Sequence, residues 1–197
     1  MLPRIMLAFA AGLCSLCLAN AQTTPPHHVN LTVHVRDYCD PTTFNAGLGE
    51  GTCVRDTSLG LITLNGFFGE VAADKSVGAW RYAPATAQVD DQTHIMLQNF
   101  GGETHTFTRV KKFGGGFVAA LNAASGNPTP APECAQMVNG QLSPQPPSAQ
   151  NIFIAAGTTA TTNLSSKPQT VHYQCCIHPW MRLTVNVRAM DLNQEKP

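Results

Sequence analysis

Three side chains suited to a soft metal recur at three-residue spacing near the end of the chain. They are Cys175, His178 and Met181, in the run Tyr-Gln-Cys-Cys-Ile-His-Pro-Trp-Met from Tyr173 to Met181. A thiolate and a thioether select a soft or borderline metal, and an imidazole beside them points to copper over magnesium or calcium. A trigonal copper centre for electron transfer takes two imidazoles, one thiolate and a weak axial ligand, so a second histidine must come from elsewhere. His105, in the run Asn99-Phe-Gly-Gly-Glu-Thr-His105-Thr-Phe107, is the natural candidate.

These residues need a β scaffold, and the sequence supplies its pattern. Val29 to Val35 alternates apolar and polar residues, as do Leu183, Val185 and Val187 with Thr184, Asn186 and Arg188. That period of two marks half-buried strands. Leu59 to Leu64, Thr93 to Asn99 and His105 to Val110 read as further strands separated by turn formers, and Phe117 to Ala124 as a short helix. Several short strands with turn signals predict an all-β, antiparallel sandwich or barrel.

Strand parity also separates the adjacent cysteines. If residues 170–175 form a strand, Val171, Tyr173 and Cys175 share the inward face, while His172, Gln174 and Cys176 take the other. Cys175 is then the metal thiolate, and Cys176 is free to bridge elsewhere. His34, His94 and His172 fall at polar parity and read as surface residues.

Residues 1–21 read as an export signal: a basic start at Arg4, an apolar stretch from Ile5 to Leu18, and a small-x-small site at Ala19-Asn20-Ala21. No later stretch approaches the roughly 20 apolar residues of a membrane span. The mature chain would then be soluble, in the periplasm or secreted. Lys and Arg number 12, as do Asp and Glu. Such a balance gives no electrostatic attraction to nucleic acid or anionic lipid.

Of the seven cysteines, Cys39, Cys53, Cys134, Cys175 and Cys176 lie beyond the signal. An oxidising compartment favours disulfides, and with Cys175 on a metal four cysteines remain, which allow three pairings. Cys39 with Cys53 brackets a turn-rich loop and is the economical choice, leaving Cys134 with Cys176.

Three parts are expected beyond the signal. Residues 22–76 supply a strand and the disulfide-closed loop, within the same sandwich. Residues 77–190 carry the metal site, interrupted at 114–150 by a Pro/Gly-rich stretch that opens with Gly114-Gly115-Gly116 and includes six prolines from Pro128 to Pro147. Residues 191–197 form a loose tail. Proline cannot donate to a sheet ladder, so the 114–150 stretch is expected to lie over the sandwich as a long insertion instead of continuing its sheets.

The run Tyr173-x-Cys175-x-x-His178-Pro179-x-Met181 resembles the ligand loop of the cupredoxins, the type 1 blue copper proteins, with a short spacing most like the amicyanin and plastocyanin branch. Asn99, six residues before His105, resembles that family's first-histidine strand. The resemblance covers about Gly78 to Val187. It implies a Greek-key β-sandwich with one type 1 copper ion. His105, Cys175 and His178 would be its equatorial ligands and Met181 its axial one. It further implies that Asn99 ties the two ligand-bearing segments together. Pro179 would stiffen the loop, and with Trp180 would form an apolar rim around an exposed edge of His178, where a redox partner docks briefly. The gap from His105 to Cys175 is longer than in small members, and the Cys-Cys pair is a departure.

The function this implies is an exported, monomeric electron carrier with a transient redox protein partner. The alternative is a periplasmic copper chaperone or resistance protein that holds Cu(I) with the same residues. No catalytic role is expected: no Ser-His-Asp order and no paired-carboxylate spacing stands out, and the His-x-His pairs of a second copper centre are missing.

Overall fold

Alternation of apolar and polar residues builds two facing sheets. In the computed structural model, which describes residues 30–55, 61–164 and 167–189, strand β1 (Asn30–Arg36) turns Val33 and Val35 inward. It pairs in parallel with β4 (His94–Asn99), whose Ile95 and Leu97 take the same face, and antiparallel with β2 (Arg81–Ala83). Strand β9 (Thr159–Asn163) completes this sheet beyond β4. The second sheet runs in the order β3 (Thr86–Asp90), β11 (Arg182–Arg188), β10 (Gln169–Gln174), β5 (His105–Val110) and β8 (Asn151–Ile154).

Its inward residues, among them Phe107, Val171, Tyr173, Leu183 and Val185, meet those of the first sheet in one core. Phe107 stacks on Tyr173 at 4.2 Å between ring centroids, and Tyr82 packs edge-on against Phe107 at 5.4 Å. Tyr82 also donates its hydroxyl to the Thr106 carbonyl. A buried phenol is thereby satisfied by a hydrogen bond that joins the two sheets.

The chain is mostly β, but not all β. Helix α1 (Pro41–Leu48) starts where Asp40 accepts from the Thr42 and Thr43 N–H groups, with Pro41 in the first turn, where its missing N–H costs nothing. Helix α2 (Leu64–Asp74), capped by Thr63, replaces the end of the strand expected over Leu59 to Leu64. Ile62 makes only a single bridge to Cys39, and residues 56–60 lie outside the described ones. Phe67 and Val71 are the buried pair of α2, one turn apart. Two glycines and a length of 11 residues blur that period in the sequence. The short helix expected near Phe117 is α3 (Ala119–Ala124).

Residues 114–150 add no strand to either sheet. They contain α3 and a hairpin of their own, β6 (Ala135–Val138) with β7 (Gln141–Pro144), closed by Asn139 and Gly140 at φ 51° and 79°. Both turn residues occupy the left-handed region that two-residue hairpin loops require. Pro144 sits at the last position of its strand, where a missing donor is tolerated.

Disulfides join Cys39 to Cys53 and Cys134 to Cys176, as expected, and leave Cys175 as a free, buried thiol. The outward face of β10 is therefore not bare. Gln174 and Cys176 lie beneath residues 114–117: Phe117 N–H donates to the Cys176 carbonyl at 2.9 Å, and Gln174 Nε2 donates to the carbonyls of Gly114 and Gly115. Gly116 must be glycine here, since a Cβ would lie 1.7 Å from the Cys176 carbonyl oxygen. The expected export signal 1–21, residues 22–28 and the tail 191–197 lie outside the described residues.

The Cys134–Cys176 bridge closes a sequence separation of 42 residues. Replacing both cysteines by serine is expected to lower the unfolding free energy by about 4 kcal/mol on the chain-entropy account. Denaturant titration of the metal-free protein measures this directly.

Candidate metal centre

Cys175 follows β10, His178 and Met181 lie in the turn before β11, and His105 opens β5, the neighbour of β10. Sheet pairing thus brings together ligands that are 70 residues apart in sequence. The turn is closed by its own backbone: Cys175 N–H donates to the Met181 carbonyl at 3.0 Å, and Met181 N–H donates to the His178 carbonyl at 2.9 Å. Pro179 is buried within it, and its carbonyl accepts from Arg182 Nε at 2.8 Å.

The Cys175 sulfur stands 3.8 Å from His105 Nδ1 and 3.9 Å from His178 Nδ1, and the three ligand atoms lie within 4.8 Å of one another. Metal–nitrogen and metal–sulfur bonds of about 2.0 and 2.3 Å, the lengths zinc takes with these donors, span about 3.7 Å when opened to a trigonal angle. One ion therefore fits between them. A thiolate and two imidazoles, with the buried thioether of Met181 in the same packed cluster, are a donor set suited to copper.

His105 and Cys175 are fully buried, and His178 is 3% exposed. Burial opposes ionisation of Cys175, but the two imidazoles outweigh it and hold the thiol well below its ordinary range. The Thr106 N–H also points at the sulfur, 3.5 Å away. Thr106 Oγ1 accepts from the Cys176 N–H at 2.7 Å, so Thr106 ties the His105 strand to the Cys175 segment. The resemblance assigned that tie to Asn99. The Asn99 side chain instead donates to the carbonyls of Glu103 and Ile154 and accepts from Gly101 N–H, which shapes the turn leading to His105.

Two carboxylates stand behind the imidazoles, and the sequence reading passed over both. Asp37 Oδ2 accepts from His105 Nε2 at 2.7 Å, with both side chains fully buried. Asp37 also accepts from the N–H groups of Gly102 at 2.8 Å, Glu103 at 3.2 Å and Cys39 at 3.3 Å. Burial would raise the Asp37 carboxyl, but His105 and these N–H groups bring it below its usual range. Burial works against the charged form of His105, and the Asp37 and Cys175 contacts still push it up to about 10. Glu103 Oε2 lies 3.5 Å from His178 Nε2 and accepts from Trp80 Nε1. Burial raises Glu103, partly offset by the two imidazoles.

Parity held the signal for both acids. Asp37 continues the inward series Val33, Val35, and Glu103 shares the parity of His105. Asp37, Glu103 and His105 also bring one ligand atom each within 4.8 Å of the others. The Asp37 oxygens, however, are already taken up by the three N–H groups and His105.

The expected exposed edge of His178 is not there. Its ring is flanked by Trp180 at 5.6 Å, Phe67 at 6.0 Å and Trp80 at 6.3 Å between centroids, while Trp180 itself remains half-buried. Phe67 belongs to α2, whose two glycines blur its helical period, so the covering of His178 is not legible in the sequence. A cleft of about 270 Å³ still reaches His178 and Glu103 from the surface, lined by apolar side chains that include Leu48, Phe67, Phe68 and Leu121.

Gly101 and Gly102 allow Asp37 and the Cys39–Cys53 disulfide to approach the turn before His105. A Cβ on Gly101 would lie 1.8 Å from Asp37 Oδ2, and one on Gly102 2.5 Å from the Cys39 sulfur and 2.7 Å from the Arg55 carbonyl oxygen. Gly102→Ala is expected to destabilise the protein by about 1–3 kcal/mol, the usual cost of overpacking. Thermal or denaturant unfolding measures it, and an unchanged stability would mean that the disulfide does not press on this turn.

No protein-family model and no curated protein matches the chain. Among solved structures, a purple cupredoxin from Nitrosopumilus maritimus aligns at 13% identity and a TM-score of 0.36, over 80% of this chain and 98% of its own. The oxidised plastocyanin of Dryopteris crassirhizoma aligns at 15% identity and a TM-score of 0.33, over 80% of this chain and 100% of its own. A reduced amicyanin variant gives 18% identity and a TM-score of 0.33, over 61% of this chain and 89% of its own. The chain's own architecture, two facing sheets with the buried His105, Cys175, His178 and Met181 gathered at one end, is a cupredoxin-like β-sandwich.

Proposed function

We propose that the chain is an exported type 1 copper protein that carries single electrons, as a monomer, to and from a transient redox protein partner. The observation that carries this reading is the prearranged burial of the ligands: Cys175 Sγ lies 3.8 and 3.9 Å from the two Nδ1 atoms, with all three residues between 0 and 3% exposed. Copper, when bound, supplies a one-electron couple. The residues keep its surroundings alike in both oxidation states. Sheet pairing fixes His105 and Cys175, the closed 175–181 turn fixes His178 and Met181, and Thr106 N–H stabilises negative charge on the sulfur. Little movement then accompanies each transfer.

The alternative, a chaperone that hands Cu(I) onward, needs ligands that an acceptor can reach. Burial of His178 beneath Phe67, Trp80 and Trp180 speaks against that. The partner is proposed to meet the chain at the apolar cleft between α1, α2 and α3, where Leu48 and Phe68 are 51% and 43% exposed and where Phe67, beside Trp180, leads to His178. Residues 114–150 are read as an insertion laid over the outer face of β10. The two disulfides fit an oxidising compartment outside the cytoplasm, and periplasmic or secreted location is proposed from them together with the expected signal.

The copper-loaded protein is expected to show intense visible absorption from the thiolate–copper bond and to cycle reversibly between oxidation states. Cys175→Ser should abolish the band completely. Optical and electron-paramagnetic-resonance spectra check both points. A colourless Cu(II) form would rule the reading out, and rapid loss of copper to a small chelator without reversible cycling would favour the chaperone.

A further inference from the structure

We infer that Asp37 and Glu103 are positioning residues that bias the centre toward Cu(II), acting through the far nitrogens of His105 and His178. This rests on the copper reading above. An ionised carboxylate only accepts hydrogen bonds, so the short contact from Asp37 requires the proton of a neutral His105 to sit on Nε2. That leaves the Nδ1 lone pair facing the Cys175 sulfur, as metal ligation requires.

Asp37 cannot easily turn away from this task. Three backbone N–H groups hold its two oxygens, and the Cys39–Cys53 disulfide pins the chain two residues later. Glu103 is held by Trp80 and faces His178 Nε2 at the longer distance of 3.5 Å, an electrostatic contact rather than a well-formed hydrogen bond.

A negative charge behind a metal-bound imidazole strengthens its donation and favours the more highly charged ion. Here both imidazoles are backed in this way, from two different segments of the chain. The effect is larger for Asp37, which is closer and directly hydrogen-bonded. The consequence is tighter binding of Cu(II) relative to Cu(I), and so a lower reduction potential than the four ligands alone would set.

The test compares Asp37→Asn and Glu103→Gln with the parent protein, since each amide keeps the shape and removes the charge. Affinities for Cu(II) and Cu(I) are measured by competition with chelators, and the potential by redox titration. Asp37→Asn is expected to weaken Cu(II) binding by about 10–100-fold, the usual cost of losing such a partner. Cu(I) binding should change far less, and each tenfold difference raises the potential by about 59 mV. Glu103→Gln should shift it in the same direction by a smaller amount.

Nitrogen-15 shifts of His105 in the diamagnetic Cu(I) protein should change in Asp37→Asn, because a neutral amide replaces the charged acceptor facing Nε2–H. Equal weakening of both oxidation states, or an unchanged potential, would reduce the carboxylates to packing elements and overturn the inference. Should Asp37→Asn fail to fold, Glu103→Gln decides alone: a raised potential supports the inference and an unchanged one rejects it. The parent protein's thiolate–copper band separates this failure from failure of the copper reading, because it is read on the unsubstituted protein.

Discussion

Asp37, His105 and Cys175 lie in sequence through one end of the sandwich, and none of the three meets solvent. Each would be costly to bury alone, because an unpaired polar or charged group loses its hydration without replacement. They are tolerated because each satisfies the next. The Asp37–His105 contact at 2.7 Å is the centre of this arrangement, for it also joins the end of β1 in one sheet to the start of β5 in the other. Gly101 and Gly102 leave space for the carboxylate, the turn they form donates its N–H groups to it, and the Cys39–Cys53 bridge backs it.

Much of this was legible in the sequence. The spacing of Cys175, His178 and Met181 named the donor set, and strand parity put the Cys175 side chain inside and that of Cys176 on the opposite face. Parity stops short of showing what covers a face. The outward positions Gln174 and Cys176 are buried all the same, by a segment whose prolines and glycines exclude it from both sheets without revealing where it lies. The two larger helices were hidden for a local reason: α1 is eight residues long and α2 carries two glycines, so neither shows a sustained helical period.

The acids were missed for a different reason. Asp37 and Glu103 stand at inward positions of extended segments, where a charged residue conflicts with the simple pattern of apolar inside and polar outside. Such a conflict marks a functional position more often than a defect. Applying the parity rule two residues beyond the expected strand would have brought Asp37 into view. The covering of His178 was beyond reach, since it depends on Phe67 in α2 and on the tertiary placement of that helix.

The adjacent cysteines carry one more consequence, and it concerns how the chain reaches this state. In the folded chain Cys175 faces the imidazoles while Cys176 is bonded to Cys134. In the unfolded chain the two thiols are chemically near-equivalent rivals for Cys134. Only the folding of β10 and of the turn that follows it tells them apart. Correct oxidation must therefore follow, or be corrected by, formation of that strand, and an early capture of Cys175 by a metal ion would withdraw the wrong rival from the contest.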